Sequence, residues 1–129
     1  MIARLLAIGL GSALGGICRY LLGGLVERLA PQASLFPWGT LAVNLLGCLA
    51  IGAVYGLIDR GMEIAPLWRL FLTVGFCGGF TTFSTFIHEN NILFESHNWP
   101  MLALYATVSL LAGLLMLMAG HALTAGAGE

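Results

Sequence analysis

The chain has 129 residues, of which 59% are hydrophobic and 9% charged, with a net charge of −1 and no lysine. A soluble domain carries roughly 25% charged residues, so this composition places the chain in a membrane and excludes a water-soluble globule. The near-neutral balance also argues against nucleic-acid binding and against a polybasic patch for lipid headgroups.

Four apolar segments are each long enough to cross a hydrocarbon core of ~30 Å at ~1.5 Å per helical residue. They run from about Ile2 to Val26, Pro37 to Ile58, Pro66 to Phe94 and Trp99 to Leu123. A single four-helix domain follows, with a small, frayed tail expected from Thr124. No small-residue cleavage site follows the first segment, which predicts a retained transmembrane helix and not a signal peptide. Segments two, three and four each begin with a proline beside a tryptophan: Pro37-Trp38, Pro66 with Trp68, and Trp99-Pro100. Proline suits a first helical turn, and tryptophan prefers the membrane–water interface.

The charges give little orientation. Arg4, Arg60 and Arg69 fall on one side of such a layout, and Arg19 and Arg28 towards the other. A bias this small permits insertion both ways, and hence an antiparallel pair of identical subunits. Gly11-xxx-Gly15 and Gly52-xxx-Gly56 are small-residue faces that let helices touch, either between subunits or within one chain.

The third segment carries an interruption. Gly75 to Phe86 reads GFCGGFTTFSTF, and a bare N–H or C=O in hydrocarbon costs several kcal/mol. A break over about residues 75–82 must therefore be buried in protein or line a polar cavity. Interrupted membrane helices of this kind point to transport sites.

Several residues around it have the chemistry of an ion path. Asn44 lies seven residues into segment two, and shares a face with Thr40 and Cys48. Its amide suits either a helix–helix hydrogen bond or an N–H donor to a dehydrated anion. Phe83 and Phe86 share a helical face, as core residues or as electropositive ring edges for an anion. Tyr105, Ser109 and Gly113 form a thin stripe on segment four. Arg19 is an interfacial arginine or a positive charge at an aqueous mouth, and Glu89 lies about two turns past the break.

Other chemistries lack their parts. Cys18, Cys48 and Cys77 have no metal-ligand spacing. His88-Glu89 begins an HExxH pattern without the second histidine. No nucleophile, base and orienter can be assembled, so no enzyme is expected.

GFCGGFTTFSTF at 75–86, GTLAVNLLG at 39–47 and GGICRY at 15–20 resemble the signature segments of the Fluc, or CrcB-type, bacterial fluoride channels. The likeness covers essentially the whole chain. It implies an all-α, dual-topology antiparallel homodimer in the bacterial inner membrane, with two pores passing fluoride passively and lowering its cytoplasmic level. Carried over by motif, the fluoride pathway falls on Asn44, Phe83, Phe86, Ser84, Thr85, Tyr105 and Ser109. The vestibule falls on Arg19 and Glu89. A structural Na⁺ at the dimer centre would be held by backbone carbonyls of Gly78 and Thr81. Some relatives have a further hydroxyl where Gly113 stands here. The rival expectation is a small dual-topology multidrug-type exporter, which should need a membrane-embedded glutamate in segment one.

Overall fold

The computed structural model describes residues 1–32 and 34–126. Helices are its only regular elements among those residues: α1 (Ile2–Leu29), α2 (Trp38–Asp59), α3 (Pro66–Leu70), a π-helical segment (Phe71–Cys77), α4 (Gly78–Phe80), α5 (Phe83–Glu95) and α6 (Trp99–Ala125). The run from Pro66 to Glu95 acts as one interrupted membrane span, so four spans are present. The helical order of α6 continues to Ala125, past the expected start of fraying. Residues 127–129 of the expected tail lie outside the described residues.

The ends of the spans follow from local chemistry. Pro66 stands in the first turn of α3, where its missing N–H costs nothing. At the end of α2, the Gly61 N–H bonds to the Ile58 carbonyl at 2.9 Å and the Met62 N–H to Leu57 at 3.0 Å. This is a Schellman closure, and Gly61 adopts the positive φ of 96° that it requires. The end of α5 closes the same way, from His97 to Phe94 and from Asn98 to Leu93. There a histidine holds the left-handed position, with φ 57°.

Glycines set which spans touch. Gly52 and Gly56 of α2 face the backbone of α6 at Leu117 and His121, and Gly120 of α6 faces Leu49. Gly11 and Gly15 of α1 lie against Phe71 and Phe76, and Gly79 against Ser12. Both small-residue faces therefore pack within the chain, one on each side of the molecule. The α2–α6 seam ends in two side-chain ties: Thr124 Oγ1 donates to the Ala53 carbonyl at 2.8 Å, and His121 Nε2 lies 2.7 Å from Asp59 Oδ2.

The core gathers Phe36, Leu41, Leu93 and Tyr105, with Phe86 packed against it. The Tyr105 ring is wholly buried and meets Phe36 and Phe86 edge-on, with centroids 5.4 and 5.1 Å away. Many large apolar residues of α1 and α6 point outward, as lipid contact requires.

Candidate functional site

The interruption is narrower than the expected 75–82. Only Thr81 (φ −85°, ψ 159°) and Thr82 (φ −149°, ψ 116°) are extended. Gly75, Gly78 and Gly79 stay within helical turns. At Gly75 and Gly79 the missing Cβ makes room for α1: a Cβ on Gly75 would meet the Gly11 Cα at 3.0 Å, and one on Gly79 the Ser12 Cα at 2.9 Å. Ahead of the break, the π-helical turns supply an irregularity of a kind found often at functional sites.

Side chains from other spans hold the break open. The Thr82 N–H, which in an unbroken helix would bond to Gly78, donates instead to Asn44 Oδ1 at 2.7 Å. Asn44 Nδ2 donates back to the Thr82 carbonyl at 3.2 Å. Asn44 thus grips both polar groups of one extended residue, and its second amide hydrogen remains for another acceptor. Arg19 Nε donates to the Gly79 carbonyl at 3.1 Å. Thr81 bonds to the Cys77 carbonyl through both its N–H and its hydroxyl. Among the described residues, the carbonyls of Gly78 and Thr81 accept no hydrogen bond.

Past the break, Thr82 caps α5. Its hydroxyl oxygen accepts the Thr85 N–H at 3.3 Å and donates to Thr85 Oγ1 at 3.0 Å. This orientation turns Thr85 inward and leaves Ser84 exposed.

Two cavities flank the break. The larger, about 570 Å³, is lined by Arg19, Glu27, Thr40, Thr82, Thr85 and Glu89, among others. The smaller, about 380 Å³, is lined by Asn44, Thr81, Thr82, Phe83, Phe86 and Ser109, with Gly78 and two cysteines, and by no charged side chain. Thr82 lines both. The Phe83 and Phe86 rings lie 5.8 Å apart at the smaller cavity, and Phe83 is 75% exposed. Ser109 Oγ is buried beside it with no hydrogen-bond partner among the described residues.

The structure therefore brings Asn44, Phe83, Phe86, Ser109, Gly78 and Thr81 to one cavity, and Arg19, Thr85 and Glu89 to the other. Tyr105 lines neither, but its hydroxyl donates to Glu89 Oε1 at 3.2 Å. Ser84 also lines neither. At Gly113 a Cβ would meet only Cys48 Sγ, at an ordinary 3.6 Å.

Thr82 and Thr40 are cavity residues that the motif-based set omits. A signal for Thr82 was present: a threonine three residues before another hydroxyl, opening a helix, is a capping pattern.

The sequence matches the family described as CrcB-like protein, Camphor Resistance (CrcB), over residues 6–121. The chain belongs to this CrcB-like family. Among relatives named "Fluoride-specific ion channel FluC", one from Nitratidesulfovibrio vulgaris strain Miyazaki F is 47% identical over 91% of this chain and 93% of its own. One from Bacteroides fragilis is 44% identical over 91% and 92%. One from Maridesulfovibrio salexigens is 40% identical over 93% and 94%. With four apolar spans and bacterial relatives of this kind, this CrcB-like chain is a multi-pass bacterial membrane protein.

Proposed function

We propose that the chain is a passive, fluoride-selective channel that works as an antiparallel homodimer with two pores and lowers cytoplasmic fluoride. One observation carries this: the larger cavity, termed outer, has charged side chains, the smaller, termed inner, has none, and the two share a single lining residue, the hydroxyl-bearing Thr82. Fluoride is strongly hydrated, so its path must replace lost water contacts, and a path that binds it weakly at several points lets it leave again. The inner cavity offers such contacts in the second amide hydrogen of Asn44, the ring edges of Phe83 and Phe86, and the Ser109 hydroxyl, which has no partner among the described residues. A full positive charge there would trap the ion. Arg19 instead stands in the outer cavity, where it raises the local anion concentration.

Oligomeric assembly has two supports. Phe83 is an exposed aromatic beside the uncharged cavity, and among the described residues the Gly78 and Thr81 carbonyls have no partner. Paired across a twofold axis, two such breaks would present four carbonyl oxygens. A hard oxygen set of this kind fits Na⁺. When bound, Na⁺ would supply a fixed positive charge at the subunit junction and satisfy those acceptors. The bacterial inner membrane is the expected location.

Ion efflux from liposomes holding the purified protein tests the function, with fluoride and then chloride inside and a potassium ionophore present. Rapid fluoride loss with chloride retained is expected. Retention of both ions by folded protein would refute it.

A further inference from the structure

Three charged side chains line the outer cavity. Arg19 is tied to the break, and Glu89 to Tyr105. Glu27 takes part in neither arrangement. It stands in the last turn of α1, exposed, and its Oε1 accepts the Gly39 N–H at 2.7 Å.

Gly39 is the second residue of α2. Its N–H is one of those left unpaired by the first turn, at the positive end of a 22-residue helix. The contact is closely fitted. A Cβ on Gly39 would lie 2.6 Å from the Gly23 carbonyl oxygen and 3.0 Å from Glu27 Cγ, so the backbone of α1 can approach only a glycine. A carboxylate of the chain therefore occupies a place suited to an anion, on the wall of the cavity through which fluoride enters.

Resting on the channel function proposed above, we infer that Glu27 sets the rate of anion entry. Its fixed negative charge opposes Arg19 and lowers the fluoride concentration in the outer cavity. Its hydrogen bond also keeps the Gly39 N–H from holding the arriving ion. Glu27 is thus a tuning residue for permeation, and Arg19 and Glu27 act on entry with opposite sign.

Glu27→Gln separates charge from structure, because the Gln oxygen still accepts from Gly39. At subsaturating fluoride and ~10 mM ionic strength, fluoride efflux should rise about two- to fivefold, and the gain should vanish near ~1 M salt, where the screening length falls to ~3 Å. Arg19→Gln should lower efflux under the same low-salt conditions. Unchanged or slower efflux in Glu27→Gln at low salt would overturn the inference, as would a gain indifferent to salt. If Glu27→Gln does not assemble, Glu27→Ala tests the same charge, and no low-salt rise in it is equally fatal. Absence of fluoride conduction in the unsubstituted protein would remove the channel function and this inference together. Conduction that Glu27 substitutions leave untouched would remove the inference alone.

Discussion

The two sides of the molecule use glycine alike and backbone hydrogen bonds differently. Between α2 and α6, Gly52, Gly56 and Gly120 bring two unbroken helices together. Between α1 and the third span, Gly11, Gly15, Gly75 and Gly79 do the same, but that span changes to π-helical turns and then breaks. Close approach is therefore not what makes a helix fail. At the break, Asn44 and Arg19 take over bonds that the helix would have made for itself. The unbroken seam stabilises the fold, whereas the broken one gives up backbone pairing for free polar groups beside a cavity.

Substitutions should separate the two sides. The largest effect is expected for Asn44→Asp, which places a negative charge in the inner cavity and removes the donor to the Thr82 carbonyl. Fluoride efflux should fall to the background of empty liposomes, and retained conduction would mean that Asn44 only ties helices together. Phe86→Ile and Phe83→Ile come next. Each should slow efflux by roughly tenfold or more, equivalent to about 1.4 kcal/mol of barrier, with assembly intact by size-exclusion chromatography. Normal efflux in both would remove the ring-edge contribution.

On the seam side, Gly120→Ala should do the reverse. Its Cβ meets α2 backbone at Leu49 and Ala53, which cannot yield as a side chain would. A loss of about 1–3 kcal/mol is expected, read as lower thermal stability in detergent, with near-normal efflux per folded protein. Thr82→Ala removes the α5 cap and should cost about 1 kcal/mol, and it should slow efflux because Thr82 faces both cavities. If efflux is unchanged, Thr82 serves the fold and not the path. The smallest effect is a gain. His97→Gly relieves a left-handed residue in the α5 closure and should stabilise by about 1 kcal/mol, without changing efflux.

The same contrast explains what the sequence revealed. The spans were legible from hydropathy, and the Pro66 start from proline chemistry. Asn44 stood out because an amide is costly in lipid unless bonded. The position of the break was less legible. Glycine serves both loose backbone and close helix approach, and Gly75 and Gly79 have the second use here. The interruption falls on two threonines; the capping preference of Thr82 marks where α5 starts, but the partner that holds the break, Asn44, is 38 residues away. Ser84 and Thr85 fall on different faces of a helix, and the structure shows which face turns inward: Thr85, held by the Thr82 cap, lines a cavity, and Ser84 is exposed.

The grip of Asn44 on Thr82 also bears on biosynthesis. Chains are made and inserted from the N-terminus, so Asn44 leaves the ribosome 38 residues ahead of the break and Arg19 60 residues ahead of Gly79. The freed groups of Thr82 and Gly79 therefore find their partners already made. With the order reversed, an open amide would wait in hydrocarbon at a cost of several kcal/mol. The α2–α6 seam has no such requirement and closes last, when α6 is complete.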